Sequence, residues 1–455
     1  MCEFVPVPQL TFLLLVELFV VKRLLKMEVL VKSFGCSSNA ADGEVLAGCL
    51  VAAGYRLAAS AQVADLIILN TCAVKGPTEN RMIEFLKRVP AGKKVVVTGC
   101  LPLINLERLL REARFDGVIG PAAGDRIVEV TNRVASGETV FALEDSELAI
   151  PSLRLPRVRS SRVTSIIPIS YGCLGSCAYC CVVLARGTLR SYSVEEIVER
   201  ARTDLEHGAR ELWITSQDTA CYGKDKGTNL AKLLSELCQI GSEFKIRVGM
   251  MTPNAALNIL DDLLDAFIDE RIFKFLHLPV QSGDDDVLKS MRRSYSVPDF
   301  RKIVRRFRNS FPEMTLSTDV ICGFPGESRE AFAETLRLIE EVKPDVVNVS
   351  KFFARPRTAA AEMRKDFTAD AEIAERSRAA TALAKRVSLE RNQRLIGWTG
   401  EVLFDEVGKV AGSWVGRNFT YKPIAVKSEK KLLGKSLRVK ATEAFPTFLI
   451  GEVIE

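Results

Sequence analysis

The chain has 455 residues, 47% hydrophobic and 26% charged, with a formal net charge of +6. That length is too great for one ordinary domain, and the balance excludes a disordered, collagenous or low-complexity chain. The mild positive charge permits a nucleic-acid partner without demonstrating one.

Residues 1–26 hold an apolar run from Val5 to Val21, interrupted by Glu17 and followed by Lys22, Arg23 and Lys26. No basic segment precedes the run, so it does not read as a secretory signal. It is marginal in length for a spanning helix, and no stable membrane association is expected. The segment is read as an extension ahead of a natural start at Met27, with a membrane-anchoring apolar segment as the alternative. From Met27 to about residue 140, "MEVLVKSFG", "ADLIILNT" and "KKVVVTG" are continuous apolar strands, with helices expected near 41–53, 77–88 and 102–111. That alternation predicts an α/β domain with a parallel sheet covered on both faces. Cys36, Cys72 and Cys100 each fall just past one of these strands. Parallel pairing brings such ends to one edge, so the three thiols are expected to meet.

Residues 141–164 read as a linker, with an acidic "EDSE" start and a basic "RLPRVRSSR" end. A second alternating region, 165–392, contains "TSIIPIS", "ELWITSQD", "KIRVGMM", "FKFLHLPVQ", "TLSTDVICG" and "DVVNVSKF". These predict a partial (β/α)6 barrel, short of the eight units of a closed one. Ser193 and Glu196 have capping-box spacing, and residues 366–392 read as a helix. Residues 393–455 turn to short strands with Gly and Pro turns, predicting a small all-β barrel. Arg417, Tyr421 and Lys422 are its candidate RNA contacts.

Twelve cysteines in a chain this long do not form the disulfide framework of a small secreted protein. A reducing, cytoplasmic setting and metal chemistry are expected instead. Cys173, Cys177 and Cys180 are spaced C-x3-C-x2-C in "SYGCLGSCAYCCVV". A structural zinc site wants four ligands, and His207 and His277 lie on other elements. A cubane iron–sulfur cluster accepts three thiolates and leaves one iron open to a substrate. In an extended segment Cys181 points away from Cys180; it reads as structural, as do Cys2, Cys49, Cys221, Cys238 and Cys322. His277 is expected to be a hydrogen-bonded barrel residue, and the basic "RKIVRRFRNS" helix a solvated face. No residue is singled out as a proton donor or acceptor.

This cysteine spacing after the first barrel strand, with Tyr179 before the last thiol, resembles the radical S-adenosylmethionine enzymes. The resemblance implies that the open iron chelates S-adenosylmethionine, that Tyr179 packs near its adenine, and that one-electron reduction cleaves the sulfonium. It also implies that Gln217 and Asp218 face the methionine end and that Gly323, Gly326 and Glu327 lie against the adenosyl group. A cap and an ordinary strand-to-helix turn are the plain alternatives. "SFGCSSNAADGE", "LNTCAV" and "VTGC" resemble the methylthiotransferases, implying a second open cluster on Cys36, Cys72 and Cys100. The final β region resembles the RNA-binding TRAM domain. Together they imply two [4Fe–4S] clusters and S-adenosylmethionine, with the tRNA anticodon stem-loop, an electron-donor protein and a sulfur donor as partners. "ARGTLRSY", "TSQDTACYG", "HLPVQSGDDDVLKSMRRSY" and "DVICGFPGES" resemble the archaeal and eukaryotic branch, which methylthiolates N6-threonylcarbamoyladenosine at position 37 of tRNA. Val183, Gln217 and "ARPRT" depart from that branch's pattern. "SQDT" also resembles the branch that modifies an aspartate of a small-subunit ribosomal protein. An iron–sulfur or zinc RNA-binding adaptor is the non-enzymatic alternative.

Overall fold

The computed structural model describes residues 27–143 and 150–454. The apolar segment 1–26 and the acidic start of the linker lie outside the described residues. The chain divides into two compact units. One ends at Ser160 and takes in Leu184–Arg186; the other holds Ser161–Val183 and Gly187–Glu455.

In the first unit, strands β1 (Glu28–Ser33), β2 (Arg56–Leu57), β3 (Leu66–Thr71), β4 (Lys94–Gly99), β5 (Gly117–Ile119) and β6 (Val140–Ala142) form one parallel sheet in the order β2-β1-β3-β4-β5-β6. Helices Ser37–Ala52, Gly76–Lys87 and Leu101–Glu112 follow β1, β3 and β4. The continuous apolar runs have a direct cause. On β4, Val96 packs with Leu46, Leu50 and Ile127, while Val95 and Val97 pack with Met82, Ile83 and Leu86. Alternate side chains thus enter two separate cores. The linker is strapped to the first helix: Ser160 donates its backbone N–H and its hydroxyl to Glu44 Oε1 at 2.8 and 2.6 Å.

The second unit contains β7 (Thr164–Pro168), the short antiparallel pair β8 (Ser170–Tyr171) and β9 (Arg190–Ser191), then β10 (Glu211–Thr215), β11 (Lys245–Val248), β12 (Phe275–His277), β13 (Thr315–Cys322) and β14 (Val346–Lys351). Parallel ladders β7-β10-β11 and β12-β13-β14 are joined by a parallel bridge from Ile246 to Ile272. Six β/α strands therefore make the open barrel the sequence predicts, with β7 and β14 as its edges. The expected capping box forms, with Glu196 N–H on Ser193 Oγ and Ser193 N–H on Glu196 Oε2. The long helix Asp370–Gln393 packs behind β14.

Strands β15 (Thr399–Val407), β16 (Ser413–Arg417), β17 (Pro423–Lys427), β18 (Ser436–Ala444) and β19 (Leu449–Val453) close into a small barrel around Val402, Phe404, Ile424, Val439 and Leu449. The turn between β16 and β17 docks this barrel on the larger one. Asn418 Oδ1 accepts from the N–H groups of Thr420 and Lys422, and Tyr421 takes a left-handed φ of +66°. The Tyr421 ring then lies 4.9 Å from Phe273 and 5.2 Å from Phe275. Lys422 Nζ sits 2.9 Å from Asp345 Oδ1 and donates to Asn392 Oδ1 at 2.6 Å. Arg417 Nε donates to Asp405 at 3.1 Å.

This arrangement corrects the expected RNA contacts. Lys422 is only 5% exposed, and Arg417 and Tyr421 are held in the same packed junction. A phosphate would have to displace Asp345, a buried partner in low dielectric, so the three residues serve docking.

Glu211, at the start of β10, is buried in this junction beside Arg417 and Asp405. Burial raises its carboxyl from 4.5 to about 7, reinforced by Asp405 and opposed by Trp213, Arg417 and Arg247. A carboxyl with a raised folded pKa contributes stability below about pH 4.5 and loses it as pH rises through about 7. Urea midpoints of Glu211→Gln should therefore depend less on pH across that range than those of the wild type, and lie higher at the alkaline end. Parallel curves would show that the carboxyl titrates normally.

Candidate functional site

The first thiol triad is built by three neighbouring strands. Cys36 and Cys100 are the N-cap residues of helices Ser37–Ala52 and Leu101–Glu112, and Cys72 directly follows β3. Helix N-termini favour thiolates through the peptide dipoles. Gly35, at φ +123°, allows the approach of the loops: a Cβ there would lie 2.6 Å from Cys72 Cβ and 3.0 Å from its sulfur. Arg186, which belongs to this unit, donates Nε–H to Cys100 Sγ at 3.4 Å and its terminal nitrogen to Asp42 Oδ2 at 2.6 Å. Burial pushes the Cys100 thiol up, Arg186 pulls it down, and nearby Cys36 raises it.

The second triad lies in the loop after β8. Ala178 N–H is fixed on Met291 O at 2.9 Å and Cys173 N–H on Gly187 O at 3.2 Å. A Cβ on Gly175 would stand 3.3 Å from Cys173 Sγ and 3.5 Å from Cys177 Sγ, so both sulfurs crowd over one glycine. Donors converge on each sulfur: Gly175 N–H on Cys173 at 3.2 Å, Arg293 on Cys177 at 2.9 Å and Val182 N–H on Cys180 at 3.5 Å. Burial pushes the Cys180 thiol up to about 12, with Val182 N–H opposing. Thiols held neutral by burial yet supplied with donors suit a metal centre, because a bound cation takes the place of the proton.

Among the described residues, no three His, Cys, Asp or Glu side chains close on a single ion. A cubane binds each thiolate through a different iron, so three thiolates that do not close on one ion are not at odds with such a cluster. Cys181 is buried, as are Cys49, Cys221, Cys238 and Cys322.

The other expected site residues divide. Tyr179 sets its ring edge-on to Phe324 at 6.4 Å, beside the cysteine loop. Gln217, two residues past the end of β10, has a buried Oε1 with no hydrogen-bond partner among the described residues, as a ligand-facing acceptor would. Asp218 shows the contacts of a cap. It accepts from the N–H groups of Ala220 and Thr252 at 3.2 and 3.1 Å, and from Cys221 at 3.2 Å. Glu327 Oε2 accepts from Gly323 N–H and from Arg376, both at 2.7 Å, while its buried Oε1 has no hydrogen-bond partner among the described residues. Gly326 N–H is fixed on Asp366 O. The turn from Gly323 to Glu327 is therefore held internally, and it reaches the cysteine loop through Phe324. His277 pairs with Asp319 at 2.6 Å, the barrel hydrogen bond expected of it.

Arg186 and Arg293 were not among the expected site residues. They reach sulfurs 86 and 116 residues away in sequence. Nothing in cysteine spacing marks them; only the strings "ARGTLRSY" and "MRRSY" held a signal.

Residues 28–120 match the uncharacterized protein family UPF0004, 167–339 the radical SAM superfamily and 393–454 the TRAM domain. A Pyrococcus horikoshii protein named as a probable threonylcarbamoyladenosine tRNA methylthiotransferase is 41% identical over 430 residues, covering 94% of this chain and 100% of that one. The Homo sapiens threonylcarbamoyladenosine tRNA methylthiotransferase is 35% identical over 438 residues, covering 94% of this chain and 74% of that one.

The chain belongs to the threonylcarbamoyladenosine tRNA methylthiotransferase family.

The second unit of this methylthiotransferase-family chain thus joins a radical SAM barrel to a TRAM barrel, with a [4Fe–4S] cluster and S-adenosylmethionine implied by the family. A radical S-adenosylmethionine methyltransferase from Kitasatospora setae has the same fold at 12% identity, with a TM-score of 0.52 and coverage of 86% of this chain and 80% of that one.

If Cys36, Cys72 and Cys100 hold one of two cubane clusters, Gly35→Ala should leave far-UV circular dichroism unchanged while lowering the iron bound on anaerobic reconstitution by about half, since a Cβ at Gly35 would crowd Cys72. Unchanged iron content would show that the loop tolerates the methyl group.

Proposed function

We propose that this chain inserts a methylthio group at C2 of N6-threonylcarbamoyladenosine at position 37 of tRNA. The observation that carries the reading is the match over 94% of the chain to relatives of that name, with both thiol triads at strand ends. Cys173, Cys177 and Cys180 would hold one [4Fe–4S] cluster with S-adenosylmethionine, and Cys36, Cys72 and Cys100 the second. Bound there, these groups supply one-electron cleavage, the sulfur and the methyl group.

The protein's part is to bind and orient. Arg293 keeps a cation on Cys177 while stacking on Tyr295 at 4.9 Å, so it is fixed from two sides. Gln217 Oε1 offers an unspent acceptor to a ligand's ammonium or hydroxyl. Tyr179 and Phe324 form an apolar wall for a planar base. An electron-donor protein and a sulfur donor complete the partner set. The setting is cytoplasmic, where tRNA and reducing conditions coincide; among the described residues no helix is long and apolar enough to cross a membrane.

Mass spectrometry of tRNA nucleosides and small-subunit ribosomal proteins from a deletion strain tests the substrate. Loss of the 2-methylthio nucleoside supports the proposal; loss of a modified ribosomal aspartate transfers the chain to that branch.

Reconstituted protein should hold about eight iron and eight sulfide per chain, and stoichiometric zinc with little iron would refute both cluster assignments. Alanine at Cys173, Cys177 and Cys180 together should abolish deoxyadenosine and methylthio product alike. Alanine at Cys36, Cys72 and Cys100 should preserve deoxyadenosine formation and abolish methylthio product. A normal methylthiolation rate in the second variant would remove those cysteines from sulfur delivery.

A further inference from the structure

The helix Asp370–Gln393 and its C-cap Arg394 carry basic residues of two kinds. Arg376, Arg386, Arg391 and Arg394 are each paired, with Glu327 and Glu372, Glu340, Asp345 and Glu390 respectively. Arg378 and Lys385 lie on a different stripe with Ala374, Ser377, Thr381 and Ala382, and this stripe lines a groove of about 410 Å³ with Lys351 of β14. Lys351, Arg378 and Lys385 are exposed, and among the described residues none has an ion-pair partner. Among the described residues, no acidic side chain lines the groove.

The location adds to the charge. Lys351 is the last residue of the open edge strand β14 and pairs across the ladder with Cys322. Gly323 and Phe324 follow immediately, and Phe324 carries the Tyr179 ring beside the cysteine loop. The groove therefore begins at the edge of the barrel from which the site loops emerge. Phe353, two residues beyond Lys351, is 48% exposed with Arg355 over its ring at 4.7 Å. Arg417, Tyr421 and Lys422 of the small barrel are held in the junction at the opposite edge, whereas the three cations of this groove are exposed and gathered on one concave surface beside the site loops.

We propose that this groove is the docking surface for a single-stranded RNA backbone entering the site, with Phe353 as a base-stacking platform at its head. The inference rests on the RNA substrate proposed above and names where that substrate is held. Arg378 and Lys385 are seven residues apart, about 10 Å along the helix axis, so one small anion cannot serve both. A chain of phosphates can. The small residues between the cations leave room for it, and an exposed phenyl ring suits a base rather than an acidic protein surface.

The test is a salt series of binding by reconstituted full-length protein, with an anticodon stem-loop transcript and an oligouridine as probes. The variant Lys351→Gln/Arg378→Gln/Lys385→Gln should bind both at least about ten-fold more weakly. Its slope of log affinity against log salt should be shallower by about 2, because each single-strand phosphate contact contributes about 0.7. Phe353→Ala should weaken binding about ten-fold with the slope unchanged, since stacking releases no counterions. Deoxyadenosine formation without RNA should be normal in both. An unchanged slope in the triple variant overturns the proposal. So does a triple variant that loses only affinity for an acidic flavodoxin, which would assign the groove to a protein. Shallower slopes combined with a normal 2-methylthio nucleoside level in the deletion strain would uphold the groove and sink the substrate reading instead.

Discussion

Parallel pairing of β1, β3 and β4 is the constraint on which the first triad depends, because it sends three strand-to-helix loops out at one edge. The edge is then locked by buried polar contacts. Asn70 donates to Ser33 Oγ at 3.2 Å and to Asn39 O at 2.7 Å, and Asn39 returns a bond of 2.5 Å to Phe34 O. Thr71 donates to Thr98 O and accepts from Leu101 N–H. Each bond is worth about 1 kcal/mol net, but breaking one leaves a buried partner unsatisfied at greater cost. The loops that present Cys36, Cys72 and Cys100 are thus fixed by groups one to three residues from the thiols.

The second unit uses its two edges for different tasks. At the C-terminal ends of the strands lie the cysteine loop, Gln217, the Gly323 turn and the basic groove. At the N-terminal ends, Asp345 holds both Lys422 and Arg391, and Tyr421 fills the space beside Phe273 and Phe275. Buried charges survive there because each has a partner, and removing one partner costs several kcal/mol. The small barrel is closed and so has no free strand edge of its own. The edge strand β14 remains open, covered on one side by the helix that also carries the groove.

The strands and the cysteine positions were legible in the sequence. Apolar runs of six or so residues between helical stretches left few alternatives to parallel sheets, and a thiol just past each run placed it at a known edge. The C-x3-C-x2-C loop was legible for the same reason, because its ligands are local. The short β2, β5, β6 and the β8–β9 pair were not expected, since two or three residues carry no periodicity. Asp218 and Glu327 were each open to a ligand or a cap-and-turn role, and the structure shows contacts from Ala220, Thr252, Gly323 and Arg376 to them. A carboxylate at a strand end looks the same in sequence whether it faces a substrate or a backbone N–H.

The sequence by itself determined the order of domains, the parallel architecture and the two sets of three thiols, because each follows from spacing along the chain. Only the tertiary structure decided which charges are free. Arg417 and Lys422 look available in a turn of a basic small domain, yet they are consumed by Asp405 and Asp345. Lys351, Arg378 and Lys385 look like solvated helix and strand charges, yet they converge on one groove. A charge's role depends on the partner that folding brings within a few ångströms, and for Lys422 that partner, Asp345, lies 77 positions away in sequence.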